Sequence, residues 1–417
     1  MQKINLKRKF GLSHSFLWLL LLIISFSCTK EHNPLQSPKG ATQVNLSLVD
    51  EQPYWAITFK GTEVINKSPV GLILENPFQG GFEEVARETN LYDSTWNPVW
   101  GKFSSIRDHY RETVWKLQEK EGLQRRLDVV VRAYDGGAAI RYKLYGEGEV
   151  NIKEDNTSLV FANDGMCWSA NGEHPNIGPV KLSAYNGNQF PLTVQVGEHC
   201  YASALEAAIF DHAFSIPERI DSTAFKYSMS GNMSAMNLPS TTSWRVVLLG
   251  DTPGDLLTNN VMVNLNPSSK SEDFSWVKPG LTMWDWRAWG GKGKDGFTYN
   301  LDMASWRRMI DFSSKYGIEY LVLDANWYGH EFDPKSDPMT SRNYIVYQPD
   351  PTSPKMADRP APKNWKDPVD IPALIKYGKE RNVGIILYIN DVARNHYDFE
   401  KTLATYNEWG AAGIKYG

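Results

Sequence analysis

Five polar residues lie at the ends of, or within, short apolar segments in the last third of the chain, where they could do chemistry. Asp285, Asp324, Asn390 and Asp391 end three of these segments, and Lys415 lies within a fourth. Carboxylates in such places can accept hydrogen bonds from hydroxyl groups or act as a general acid or base. A lysine inside an apolar strand is costly unless it is paired. We therefore expect Lys415 to face a site, where it pairs with Asp324 or Asp391 or contacts a substrate hydroxyl.

Two tryptophans accompany these residues and suggest a ligand with apolar faces. Trp284 precedes Asp285 and Trp327 follows Asp324 closely. An indole ring can stack on the apolar face of a sugar, but it can equally fill a core. The aspartates also have a plain structural alternative, because Asp often starts a loop. We predict six substrate contacts: Trp284, Asp285, Asp324, Trp327, Asn390 and Lys415.

The segments that carry these residues alternate between strand and helix from residue 278 to the end. Apolar strands are predicted over 280–286, 318–327, 383–391 and 412–417, with helices over 303–317, 370–382 and 396–410. This alternation predicts a parallel sheet, either half of an eight-stranded barrel or a small doubly wound sheet. Both architectures bind ligands at the carboxyl edge. A complete barrel needs about 250 residues, so the barrel interpretation places only its first half in this chain. No glycine-rich phosphate loop follows the first strand, which argues against a dinucleotide or P-loop site.

The segment from 42 to 277 has a different rhythm. Short period-two runs such as YWAITF (54–59) and SWRVVLLG (243–250) are separated by Gly, Asn and Asp turns, which is typical of an antiparallel β-sandwich. A hairpin is expected at Asp135-Gly136-Gly137. Arg107 and His109 are best interpreted as part of a structural network, and we assign Glu206 no catalytic role.

The chain is acidic overall and begins with a targeting segment. Its 44 basic and 48 acidic residues give a formal charge of −4, which disfavours a nucleic-acid partner. Basic residues and a short apolar run over 16–26 predict a secretory signal at 1–27. Small residues before Cys28 resemble a lipobox, so we expect acylation of Cys28, a polar tether over 28–41 and an outer-membrane or periplasmic lipoprotein of the bacterial envelope. The alternative is an ordinary signal peptide. Cys167 and Cys200 are left, and spacing does not decide whether they pair.

Four segments together resemble glycoside hydrolase family 97: WNPVWGKFSSIRDHYRE (96–112), RAYDGGAAIRYKL (132–144), SWVKPG (275–280) and AGIKYG (412–417). The resemblance implies an exo-acting α-glucosidase or α-galactosidase. It also implies a β-supersandwich, a (β/α)₈ barrel and a bound Ca²⁺, for which Glu173 is the candidate ligand in the N-terminal domain.

The resemblance also bears on the reaction. Gly417 stands where the retaining branch of the family has its Asp nucleophile, so the resemblance implies an inverting enzyme. The third strand lacks the Glu expected of an inverting base, and Asp391 is the candidate substitute. The general acid is expected on later strands, beyond this chain. The alternative function is a truncated or degenerate paralogue that binds glycans without cleaving them.

Overall fold

The computed structural model describes residues 33–210, 212–231, 234–271, 273–325, 327–328, 334–335, 337–339 and 369–417. The predicted signal segment at 1–27 and Cys28 lie outside these residues. The chain divides into two compact units, one up to Glu272 and one from Asp273 onward. None of the helices found in the described ranges is both long enough and apolar enough to cross a membrane.

The first unit is a sandwich of two large antiparallel sheets. The seven-stranded sheet has, in spatial order, β1 (Leu35–Gln36), β2 (Thr42–Val49), β3 (Gln52–Phe59), β4 (Thr62–Pro69), β11 (Ser158–Phe161), β17 (Ala224–Met229) and β16 (Ser215–Arg219). The ten-stranded sheet has β13 (Ile177–Lys181), β12 (Met166–Ser169), β14 (Leu192–Gly197), β15 (Cys200–Ala207), β20 (Trp244–Gly250), β9 (Gly137–Leu144), β8 (Arg126–Tyr134), β7 (Ile106–Glu121) and β6 (Gln79–Trp96), with β19 (Ser240–Thr241) beside β9.

Smaller elements complete this unit. They are a three-stranded sheet of β18 (Ser234–Asn237), β10 (Glu149–Asp155) and β5 (Leu72–Leu74), and two short helices, α1 (Pro253–Leu257) and α2 (Val261–Leu265).

Period-two alternation explains why these segments form a sandwich. In β3 the side chains of Trp55, Ile57 and Phe59 are buried while the residues between them are partly exposed. These three belong to one apolar core with Trp115 and Leu117 of β7, which lie on the other sheet. Alternate side chains point to opposite faces of a strand, so each sheet presents one apolar face to the other.

Several expectations for this unit can now be compared with the structure. Tyr134 pairs with Gly137 in an antiparallel register, which confirms the hairpin. The folded unit begins before residue 42, because Leu35 pairs with Val44 in β1, so the predicted tether is too long at its end. Cys167 and Cys200 are buried free thiols. A strand separates them, and two strand spacings of almost 5 Å exceed the reach of a disulfide.

The second unit is a four-stranded parallel sheet with helices between its strands. Its strands in spatial order are β21 (Thr282–Trp284), β22 (Tyr320–Leu323), β23 (Gly384–Ile389) and β24 (Gly413–Tyr416). Its helices are α3 (Asp285–Ala288), α4 (Met303–Tyr316), α5 (Ile371–Lys379) and α6 (Phe399–Trp409).

The strand order decides between the two predicted architectures. Spatial order and chain order are the same from β21 to β24, whereas a doubly wound sheet reverses direction beside its first strand. A (β/α)₈ barrel adds each strand next to the preceding one. The sheet is therefore the first half of such a barrel. The predicted strands over 280–286 and 318–327 are shorter in the structure because α3 and a loop begin directly after them.

Candidate active site

The parallel sheet has two faces, and the register shows which residues share each. Leu321 pairs with Ile385, and Leu323 pairs with Leu387. These four residues form one core with Trp306 of α4. Parallel strands in register place paired residues on the same face. The alternate residues therefore form the opposite face, which becomes the interior of a barrel.

A carboxylate, an ammonium group and an indole meet on this interior face. Nζ of Lys415 donates to Oδ1 of Asp324 at 2.7 Å, and Nε1 of Trp284 donates to Oδ2 of Asp324. The ammonium group also lies 4.8 Å from the ring centroid of Trp284. Asp324 is 3% exposed, whereas the Lys415 side chain is 40% exposed. The structure thus realises the predicted pair of Lys415 with Asp324.

Two further residues extend this cluster along β23 on the interior face. Tyr388 pairs with Lys415 in the register, and its ring centroid lies 5.1 Å from Nζ. Nδ2 of Asn390 donates to the Tyr388 hydroxyl at 3.3 Å, so the predicted Asn390 joins the cluster. Sequence reasoning did not single out Tyr388. Its position two residues before Asn390 was the available signal, because residues i and i+2 share a face.

Asp285 lies on the opposite side of the sheet and is not available to a ligand. It is 1% exposed. Its Oδ1 accepts from the backbone N–H of Asp324 at 2.9 Å, and its Oδ2 accepts from Nε1 of Trp306 at 2.9 Å. The first bond joins the ends of β21 and β22, and the second joins the end of β21 to α4. Asp285 is thus a structural residue, which corrects the expected sugar contact. Burial raises the pKa of Asp285 to about 7, although these two hydrogen bonds oppose the shift.

Trp327 is also a core residue rather than a stacking wall. It is fully buried, and its Nε1 donates to the backbone carbonyl of Tyr388 at 2.8 Å. Its ring packs against Tyr328 and Tyr406. The expected stacking on a sugar is therefore corrected, and the indole instead fixes the backbone of β23 at the site.

Asp391 does not come together with Asp324. Its carboxylate accepts a hydrogen bond from the hydroxyl of Tyr416, and Tyr416 pairs with Ile389 on the apolar face. Lys415 and Tyr416 are neighbours in β24, so their side chains point to opposite faces. Lys415 is therefore paired with Asp324, and the alternative pair with Asp391 is not the one that forms.

Gly417 follows β24 on the same face as Lys415. Its N–H donates to the carbonyl of Ile389 at 2.9 Å, and its carbonyl accepts from the N–H of Asp391 at 3.2 Å. These bonds continue the pairing with β23, so position 417 has a defined place at the carboxyl edge. A residue with a side chain here would project onto the face that carries Asp324 and Lys415.

The calcium ion that the resemblance implies would be held by oxygen atoms, and Glu173 is the candidate ligand in the first unit. Ca²⁺ takes 6–8 oxygen ligands, several of them usually carboxylates. Glu173 is an exposed residue in a turn of the first unit, bridged to Asn171. In the ranges that the structure covers, no three His, Cys, Asp or Glu side chains gather into a metal-binding group. Glu173 can supply one carboxylate to a calcium ion, and the remaining oxygen ligands would come from other groups.

Comparison with known protein families shows which family this architecture belongs to. The N-terminal domain of glycosyl-hydrolase family 97 matches residues 35–267, which is more than half of the chain. The chain therefore belongs to glycoside hydrolase family 97, with the sandwich as its N-terminal domain.

Two relatives resemble the chain over most of its length. A probable retaining α-galactosidase of Streptomyces bingchenggensis is 26% identical over 378 residues, 85% of this chain and 52% of the relative. A retaining α-galactosidase of Bacteroides thetaiotaomicron is 23% identical, over 95% of this chain and 62% of the relative. The chain thus spans little more than half the length of these relatives.

The solved structures support the fold. A family 97 enzyme from a Pseudoalteromonas species, in complex with acarbose, has a TM-score of 0.73 at 20% identity and covers 92% of this chain and 59% of its own. A β-arabinopyranosidase has a TM-score of 0.71 at 17% identity, over 92% of this chain and 62% of its own.

Proposed function

We propose that this protein hydrolyses terminal α-glycosidic bonds, as an α-glucosidase or α-galactosidase. The observation that carries the proposal is the cluster of Asp324, Lys415 and Trp284 at the carboxyl edge of the half-barrel. Barrel enzymes place their chemistry at this edge. The names of the two relatives, both retaining α-galactosidases, favour the same class of substrate.

The cluster has the hydrogen-bonding capacity that a pyranose needs. A lysine ammonium group has three donors, and one of those of Lys415 is used by Asp324. The carboxylate of Asp324 has about four acceptor sites, and three described donors occupy it: Lys415, Trp284 and the N–H of Ala325. One hydroxyl of a vicinal diol can therefore accept from Lys415 while its neighbour donates to Asp324.

We further propose that hydrolysis proceeds with inversion. Glycine at 417 has no carboxylate with which to form a glycosyl-enzyme. Inversion requires carboxyl groups about 6.5–9.5 Å apart with a water between them. Of the three aspartates that follow β21, β22 and β23, only Asp324 lies on the interior face. The acid and the base are thus proposed to come from other parts of the molecule.

A binding module without catalysis is the second candidate. This candidate is favoured because Asp324, the one interior carboxylate among those three aspartates, is already paired with Lys415. Incubation with p-nitrophenyl α-galactoside and α-glucoside separates the two candidates. Release of nitrophenolate supports the hydrolase, and NMR of the first anomer formed tests inversion. Binding of the sugars without release supports the module.

The saccharide site has its own test. We expect Lys415→Met to weaken binding of galactose or glucose by at least tenfold in calorimetry, because it removes a charged donor worth about 1.5–3 kcal/mol. Lys401→Met is the matched control, since Lys401 is exposed on α6. Equal affinity of both variants would contradict the proposed site.

We also propose that the protein is an envelope lipoprotein anchored through Cys28. Metabolic labelling with a tagged fatty acid tests this, with Cys28→Ser as the comparison. Label in the wild-type protein that is absent from the variant supports the anchor, and equal labelling contradicts it.

A further inference from the structure

The space beside Gly417 is already filled by a side chain from the neighbouring strand. A Cβ atom built on Gly417 would lie 2.6 Å from both Cε2 and the hydroxyl oxygen of Tyr388. Carbon–carbon contacts of this kind have their optimum at about 3.5–4.0 Å. Any side chain at position 417 therefore requires the ring of Tyr388 to move.

Tyr388 is held in this place from several sides. Its backbone carbonyl accepts from Nε1 of Trp327 at 2.8 Å, and its hydroxyl accepts from Nδ2 of Asn390 at 3.3 Å. Lys415 lies over its ring, and the residue is only 8% exposed. A buried ring with these contacts does not swing aside without losing packing.

We propose that Tyr388 is a positioning residue that occupies the place a nucleophilic carboxylate would need and thereby excludes covalent catalysis from position 417. The inference rests on the proposed glycosidase function and deepens it. Covalent catalysis from position 417 is blocked twice, because the carboxylate is absent and the room for one is taken. The Tyr388 hydroxyl, paired with Asn390, is the polar group at that place.

The inference predicts that Gly417→Asp alone does not create a nucleophile, whereas Gly417→Asp combined with Tyr388→Ala does. The probe is an activated difluoro α-hexoside that carries a dinitrophenolate leaving group. A carboxylate oxygen at 417 forms a bond to the anomeric carbon, while the bond to dinitrophenolate breaks and that group leaves with the electron pair. No general acid is needed. The product is a glycosyl ester on the protein, which intact-protein mass spectrometry detects as an increase in mass.

We expect stoichiometric labelling of Gly417→Asp combined with Tyr388→Ala. Labelling of Gly417→Asp alone should be at least tenfold slower. Gly417→Asp combined with Tyr388→Phe, which keeps the ring, should be as slow as the single variant. Equal labelling of the single and double variants overturns the inference. So does a double variant that binds the sugar but is not labelled.

A second readout is independent of glycosidase activity. Gly417→Ala is expected to lower the melting temperature of the second unit by about 3 °C when Tyr388 is present and by much less in a Tyr388→Ala background. Gly413→Ala is the matched control on the same face of β24, since its Cβ would meet its nearest neighbour at 3.9 Å. Additive effects of the 388 and 417 substitutions overturn the inference. If sugar binding fails in the wild type while this coupling is found, the proposed function is at fault and the packing inference stands.

Discussion

The two aspartates at the ends of β21 and β22 show how one residue type takes two roles a few ångströms apart. Asp324 lies on the interior face and is paired with Lys415. Asp285 points to the core and accepts from neutral N–H donors, among them Nε1 of Trp306 and the backbone N–H of Asp324. Because burial excludes water from its carboxylate, the charged form of Asp285 is disfavoured.

This difference predicts a pH-dependent stability. The pKa of Asp285 is raised to about 7 in the folded state, against about 4 in an unfolded chain. Between these values the folded state holds the proton and the unfolded state does not, so the contribution of Asp285 to stability falls as pH rises from 4 to 7. It is constant on either side of this window.

Asp285→Asn tests the prediction, because the amide does not titrate. We expect the melting temperature of the wild type, relative to that of the variant, to fall as the pH rises from 4 to 7. The comparison of the two proteins cancels the titration of all other groups. A difference that is constant over this range would show that Asp285 keeps an ordinary pKa.

At the scale of elements, helix α4 illustrates how local signals define an element that carries a site. Its first turn is capped by Asp302, whose carboxylate accepts from the N–H of Ser305 at 2.7 Å. It ends at Gly317, which adopts a left-handed conformation with φ of 68°. Between them, Trp306 and Ile310 are buried against the sheet. Their spacing of four residues places both side chains on one face of the helix.

The left-handed end predicts the cost of one substitution. Gly317→Ala is expected to lower the free energy of unfolding of the second unit by about 1 kcal/mol, because a Cβ disfavours this conformation. Urea unfolding measures it. Ser314→Ala, at an exposed position of the same helix, is the control and should change stability little. A loss of similar size in both variants would assign the effect to the helix as a whole.

Much of this element-level structure follows from the sequence, and the reasons are local. The helix predicted over 370–382 is present as α5, and its first turn is capped by Asp370, whose carboxylate accepts from the N–H of Ala373 at 3.0 Å. The apolar strands β22, β23 and β24 were also located. What local signals do not contain is the direction of a residue just past a strand end. Asp391 is one position from Asn390, and that single step turned it to the other face.

At the scale of the whole molecule, the two units have separate cores. The core of the sandwich combines residues of its two sheets, and the core of the half-barrel combines β22 and β23 with α4, α5 and α6. A protein with two such cores is not expected to unfold in one two-state step.

The sandwich also contains a buried ion network. Arg245 is fully buried; its Nε donates to Asp155 at 2.7 Å, and its Nη1 donates to Glu206. Removing one partner of a buried pair leaves uncompensated charge and costs about 3–5 kcal/mol. Glu206 thus has a structural place, in agreement with its lack of an assigned catalytic role.

We therefore predict two calorimetric transitions with separate sensitivities. Arg245→Met should lower the melting temperature of the sandwich by many degrees and leave that of the half-barrel unchanged. Gly317→Ala should lower only the melting temperature of the half-barrel. Arg107→Met is the control, because its pair with Asp93 is exposed on both sides and such pairs contribute about 0–1 kcal/mol. A single transition shifted by both substitutions would contradict two independent units.

The sequence by itself determined the properties that depend on neighbours along the chain. Periodicity located the strands and helices, turn residues located the hairpin at Gly136 and Gly137, and an unusual lysine in an apolar strand indicated a partner. Only the tertiary structure decided which of the polar residues share a face and which are buried. Pairing between strands far apart in sequence sets the register, and a shift of one residue moves a side chain from the interior of the barrel to its helix-covered side. For that reason Lys415 and Asp324 meet, Asp285 and Trp327 belong to the core, and Tyr388 fills the space beside Gly417.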